Sequence, residues 1–389
     1  MIILKEHEVH TLLADLSVPE CHRLLSSLHD VLRLYSRSKL PSSAAAGAAG
    51  EIHQPERESI VTRLGHTTLF MPCSITSATA IKVVTISAAK GLKGCVNVFA
   101  PEGELLGVVN AENVTAFRTS LAVMIPFVRW LHLRRRRRRR EEQQKGQGQK
   151  RAKMANMNLV VFGAGRQAEW HVRLALLLCG DIARVTVINR SGPRKMEDLF
   201  AQLQKQYSNV SFDVLLQNNN PTYDAQLQTT LAQSDVIFCC TPSLTPLFPF
   251  RHLSSTTDDG HGNISRERER GRFISLIGSY KPSMHEVDAD TLLSGAEGRI
   301  YVDTKEGCLV EAGELIDAGV EEDQLIELGE LDDLEQQNVD DDSETETDTD
   351  ARGNMVFKCV GLGIMDLVMA RELLDMADAK GLGLRVDDF

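Results

Sequence analysis

None of the eight cysteines stands in a CxxC pair. Cys21, Cys73, Cys95, Cys179, Cys239, Cys240, Cys308 and Cys359 are scattered along the chain, which argues against a disulfide framework or a zinc site and for reduced core thiols in a cytoplasmic protein. The eleven histidines likewise lack metal-ligand spacing, so no metal is expected. No haem or phosphotransfer motif is present. The opening MIILKEHEVHTLL reads as a first strand and helix rather than a secretory leader. The longest apolar helical stretch, Leu121 to Leu133, is interrupted by Pro126 and Arg129 and is too short to cross a bilayer, so no membrane partner is expected. A basic surplus is missing too: the formal net charge is −11, a poor balance for general nucleic-acid binding.

What is present suits two domains, since 389 residues with 42% hydrophobic content exceed one ordinary core. Four segments read as linkers or insertions because they bury too little apolar surface to offset ordering entropy. They are Pro41 to Gly50, Arg134 to Lys153 with its seven consecutive arginines, Ser254 to Arg272, and Asp332 to Gly353, which is almost wholly acidic or polar. Between residues 58 and 109, short apolar runs around Ile60, Leu69, Val83, Val98 and Val108 alternate with turn residues and predict an antiparallel meander. A helix over Asn113 to Trp130 follows.

Beyond the basic segment the pattern changes to strands alternating with helices, the mark of a parallel sheet covered on both faces. The apolar run Leu159 to Phe162 leads into Gly163-Ala164-Gly165-Arg166-Gln167-Ala168 and then a long helix. In that strand–turn–helix context the glycine pattern predicts a Rossmann domain holding a nicotinamide dinucleotide. Gly163 permits the tight turn, Gly165 lets the pyrophosphate approach, and Ala168 allows close helix–sheet packing. At the end of the second strand NAD sites carry an acid for the ribose. Here stand Asn189, Arg190 and Ser191. Arg190 and Ser191 suit a 2′-phosphate, so NADP(H) is expected over NAD(H). Thr241 and Ser243 end a later strand and are expected to line the nicotinamide or ribose side. Lys82 lies within an apolar strand, where an unpaired ammonium is costly and a ligand carboxylate is one way to satisfy it.

Taken in order, Gln54-Pro55-Glu56-Arg57, Phe70-Met71-Pro72, Ile81 to Thr85, Phe117-Arg118-Thr119-Ser120, the glycine loop, Ile277 to Pro282, Tyr301 to Thr304 and Phe357 to Asp366 make the chain resemble the ornithine cyclodeaminase/mu-crystallin family over nearly its whole length. The fold class expected is α/β, a Rossmann domain plus an α+β substrate and dimerisation domain with an antiparallel sheet. The boundaries expected are 1–130 with 356–389 for the substrate domain, 131–157 for a basic linker, 158–331 for the Rossmann domain and 332–355 for an acidic insertion. The resemblance implies a homodimer, an amino- or imino-acid substrate bound between the domains, and Arg57, Lys82 and Arg118 as its carboxylate anchors. Arginine forks and a lysine charge suit that role.

Cyclodeaminases of this family carry an Asp where Tyr280 aligns, and a Glu in the region of Leu69 and Phe70. Without a base at the second amine, cyclodeamination of ornithine lacks its means of generating a nucleophile. The expectation is therefore a reductase of a small cyclic imino acid, with Lys82 and Tyr280 as catalytic candidates. An ornithine cyclodeaminase and a non-catalytic, NADP-binding crystallin-like protein stand as alternatives.

Overall fold

Residues alternate between two faces from Glu58 to Asn110, and the chain folds accordingly. The structure, a computed structural model, describes residues 1–40, 51–87, 89–144, 156–192, 194–254, 271–331 and 353–387. Its first sheet is built from β1 (Ile2–Leu4), β2 (Ile52–His53), β3 (Glu58–Val61), β4 (Thr67–Ile75), β5 (Ala78–Ser87), β6 (Gly91–Phe99) and β7 (Leu105–Asn110), with β16 (Leu384–Arg385) at one edge. The order is β16-β1-β7-β6-β5-β4-β2, with β3 also on β4, and the hairpins from β3 to β7 are antiparallel as expected. The buried face of β5 carries Ala78, Ala80, Lys82 and Val84. The helix Gly363–Lys380 lies over β4, β5 and β6, so Lys82 faces a core and not water.

The chain divides into two units, residues 1–122, 328–331 and 361–389 in one, and 123–327 with 332–360 in the other. The second is built on a fully parallel sheet. Its strands are β8 (Met157–Phe162), β9 (Ile182–Asn189), β10 (Ser211–Leu216), β11 (Val236–Cys239), β12 (Phe273–Leu276), β13 (Gly295–Val302), β14 (Leu325–Glu327) and β15 (Asn354–Lys358). Their order is β10-β9-β8-β11-β12-β15-β13-β14. Chain order reverses at β8, which pairs with β9 on one side and β11 on the other. In open parallel sheets such a switch point, at the strands' carboxyl ends, is where ligands bind.

Residues 123–130 fall in the second unit and 328–331 in the first, against the sequence reading, and two further boundaries differ. Residues 131–144 do not form a linker: helix α3 runs unbroken from Ala111 to Gln144, through Pro126 and the arginines. Arginine is a good helix former, so nothing in the run stops the helix. Its first members are held by acids: Arg134 reaches the fully buried Asp235 at 2.7 Å and lies over the Trp130 ring, and Arg135 meets Asp181 at 3.1 Å. The apolar stretch of α3 is 89% buried, as befits a core helix. Second, β15 does not belong with the C-terminal helix but enters the parallel sheet between β12 and β13. Its run Met355, Val356 and Phe357 is buried throughout, as a strand covered on both sides requires. The segments 41–50 and 255–270, and most of the acidic segment, lie outside the described residues.

Candidate active site

The first candidate centre sits at the carboxyl ends of β8, β9 and β11. Gly163 turns the chain with φ +106, a conformation L side chains rarely adopt. Its N–H donates to the Ile188 carbonyl at 2.8 Å, tying the turn to the end of β9. A Cβ on Gly163 would lie 2.5 Å from Thr241 Oγ1, so the bare backbone is what lets β11's end close against the turn. Gly165 then caps α4 (Arg166–Leu178) in an extended conformation, and a Cβ there would meet nothing within 4 Å. That open space, facing the first-turn amides of a three-turn helix, is what an approaching pyrophosphate needs. Arg166 and Gln167 open the helix, and Ala168 is fully buried against the sheet.

The ribose-selecting residues stand beside this turn. Asn189 ends β9 and donates from Nδ2 to the Ser191 carbonyl at 2.5 Å. Arg190 and Ser191 are exposed, with the Arg190 carbonyl accepting from Asn218. Ser243 donates to the Thr245 carbonyl, while its own carbonyl accepts from the His285 amide. A Cβ on Gly278 would lie 2.3 Å from the Thr241 carbonyl oxygen, so the turn leading to Tyr280 also abuts Thr241. Gly163, Asn189 to Ser191, Thr241, Ser243 and Gly278 to Tyr280 thus gather at one rim of one sheet.

The second centre lies in the other unit. Lys82 Nζ donates to Asp366 Oδ2 at 2.8 Å, and Arg118 Nε donates to Asp366 Oδ1 at 3.2 Å. Lys82 is 3% exposed, Arg118 4% and Asp366 1%. Arg118 is packed so closely on Gly361 that a Cβ there would lie 2.7 Å from both guanidinium Nη atoms. Arg57, half-buried, is near enough for its charge to act on Lys82. Burial pushes the Lys82 ammonium down to about 8, with Arg118 and Arg57 adding to the drop and Asp366 opposing it. The three anchors named from the sequence are therefore brought into one electrostatic neighbourhood.

Asp366 carried no role in the sequence reading. Its signal was an acid inside the apolar helical run Ile364-Met365-Asp366-Leu367, where an unpaired carboxylate is costly. A buried ammonium and a buried guanidinium thus share one carboxylate, and both are groups that bind carboxylates well.

No protein-family model matches the chain. An uncharacterized protein of Saccharomyces cerevisiae is 30% identical, over 96% of this chain and 96% of its own. A Delta(1)-pyrroline-2-carboxylate reductase of Bacillus cereus is 26% identical over 59% of this chain, and the match spans 60% of that relative's length. Among solved structures, that of Thermococcus litoralis Delta(1)-pyrroline-2-carboxylate reductase in complex with NADH and L-proline aligns with a TM-score of 0.69 at 19% identity, covering 99% of this chain and all of that one. A probable ornithine cyclodeaminase from Bordetella pertussis aligns with a TM-score of 0.67 at 17% identity, over 99% and 100% of the two chains. With the ordered motifs and both sheets as expected, the chain belongs to the ornithine cyclodeaminase/mu-crystallin family.

Proposed function

We propose that this chain is an NADP(H)-dependent reductase of a small cyclic imino acid, a pyrroline- or piperideine-carboxylate, yielding a proline- or pipecolate-like product. The observation that carries this reading is the buried Lys82–Asp366–Arg118 cluster, which sets an ammonium and a guanidinium fork, the groups that recognise a carboxylate, in one buried neighbourhood. The relatives' names agree with it, since several are Delta(1)-pyrroline-2-carboxylate reductases.

A reduced nicotinamide, when bound, supplies hydride to the C=N carbon. The chain's own residues do the rest. Gly163 and Gly165 leave room for the phosphates. Arg190 and Ser191 favour a 2′-phosphate, and Asn189 supplies no acid to reserve the site for a free ribose hydroxyl. Lys82 and Arg118, with Arg57 near them, hold the substrate carboxylate and so fix which carbon is presented. The Tyr280 hydroxyl donates the proton that the imine nitrogen takes up as the amine forms. With Tyr280 in place of an acid, nothing at that position deprotonates a second amine, which weighs against ornithine cyclodeamination. The cytoplasm is the proposed compartment. A homodimer is proposed through the antiparallel sheet, where Ile60 and Val61 on β3 are 55% and 69% exposed.

Purified protein offered pyrroline-2-carboxylate or piperideine-2-carboxylate should oxidise NADPH, and NADH more slowly. Ammonia released from ornithine with no net change in cofactor would instead identify a cyclodeaminase. Neither reaction, with dinucleotide still bound, would identify a binding protein.

A further inference from the structure

A second buried ionic cluster lies in the parallel-sheet unit, and the mechanism above does not use it. Lys358 ends β15, in register with Leu276 of β12 and Val302 of β13. Its ammonium lies 3.0 Å from Glu314 Oε1 and 3.8 Å from Glu286 Oε2, and it donates to the Ser279 carbonyl at 2.7 Å. Glu286 Oε2 accepts from the Gly278 amide at 2.8 Å and the Ser279 amide at 3.2 Å. The Ser279 hydroxyl donates to Glu314 at 3.0 Å. Lys358, Glu286 and Ser279 are fully buried, and Glu314 is 3% exposed. Among the described residues, Glu286 Oε1 and Glu314 Oε2 have no hydrogen-bond partner.

Stability does not explain such a group, because well-packed apolar side chains of the same volume serve at least as well. What the cluster does is specify position. Its polar atoms take two consecutive amides and the next carbonyl of a single turn, the one that leads into Tyr280. That turn also has no room to shift toward β11. A Cβ on Gly278 would strike both the Thr241 carbonyl and, at 2.7 Å, Glu286 Oε1. Thr241 in turn closes on Gly163.

We propose that Glu286 and Lys358 are positioning residues: from beneath, they fix the Gly278–Ser279–Tyr280 turn against Thr241, and so shape the nicotinamide end of the dinucleotide site. The inference rests on the reading that this rim binds a reduced dinucleotide, and it adds two residues that touch neither cofactor nor substrate. Burial, with Glu314 adding to it, pushes the Glu286 carboxyl up to about 8 against the pull of Lys358 and the two amides.

The experiment titrates NADPH into the full chain and records affinity and the emission spectrum of the bound reduced nicotinamide, for wild type, Glu286→Gln, Glu286→Leu and Lys358→Met. Glu286→Gln keeps an oxygen for both amides and should bind within about threefold of wild type with the same emission. Glu286→Leu and Lys358→Met should bind at least about tenfold more weakly and shift the emission. Hydrogen exchange at Gly278 and Ser279 should quicken in the same two variants. Folded Glu286→Leu and Lys358→Met proteins with wild-type affinity and emission, whatever their melting temperatures, would overturn the proposal. If either fails to fold, the Glu314→Gln/Lys358→Met pair, which buries no unmatched ammonium, is judged by the same readouts. Wild type that binds NADPH but reduces no imine sinks the reductase reading alone. Wild type that binds no dinucleotide sinks both.

Discussion

Asp366 divides its carboxylate between Lys82, 2.8 Å from Oδ2, and Arg118, 3.2 Å from Oδ1, and no side chain of the three is more than 5% exposed. Removing the shared anion takes a counter-charge from two buried cations. Asp366→Ala should cost about 3–5 kcal/mol of stability, the usual penalty for breaking a buried ion pair from one side. Equilibrium unfolding in urea would measure it. A loss below about 1 kcal/mol would mean that the cluster is more hydrated than its burial implies.

Lys82→Met separates the anchor from the fold. Methionine fills a similar volume, and Arg118 still pairs Asp366, so the melting temperature should hold or rise. Imino-acid turnover should nevertheless fall by about 10–100-fold, as expected from the loss of a charge-assisted contact to the carboxylate. Turnover near wild type would remove Lys82 from the site.

The pH dependence follows from the direction of the lysine's shift. Lys82 holds a carboxylate only while protonated, and burial lowers its ammonium to about 8. Substrate affinity should therefore be full below that value. KM should climb above it, by up to about tenfold per pH unit. Lys82→Arg, whose guanidinium stays charged, should flatten the climb if the variant remains active. A KM that is constant through pH 9–10, roughly a unit and more past the transition, would contradict the assignment.

Arg190→Asp tests cofactor choice without touching the core, since Arg190 is exposed. The NADPH-to-NADH ratio of kcat/KM should drop about 10–100-fold, the range for a hydrogen bond to a charged group. An unchanged ratio would place phosphate recognition elsewhere.

Gly163→Ala probes the turn itself. The residue would have to adopt φ +106 and place its methyl 2.5 Å from Thr241 Oγ1. A cost of about 1–3 kcal/mol in stability or dinucleotide affinity is expected from strain of this kind. Calorimetric titration with NADPH would report it.

Much of this was legible in the sequence because it is local. Period-two alternation gave the hairpins from Glu58 to Asn110, and the strand–glycine–helix grammar around Gly163 gave the dinucleotide turn. Ordered motifs pointed to Lys82 and Arg118. The helical continuation through Arg134 to Arg140 was hidden because seven like charges resemble a solvated segment until Asp235 and Asp181 are seen beside them. Strand β15 was hidden because the acidic stretch before it suggested a boundary, whereas its pairing is with strands far away in sequence.

The sequence by itself determined the hairpins from Glu58 to Asn110, where the chain turns on glycine, and which cations are available, since backbone sterics and the burial of apolar faces act over a few residues. The tertiary structure alone decided partners: that Lys82 meets Asp366 across 284 positions, and that Lys358 meets Ser279 across 79. A buried charge takes whichever counter-charge the packing of distant elements brings within about 4 Å, and no local pattern encodes that distance.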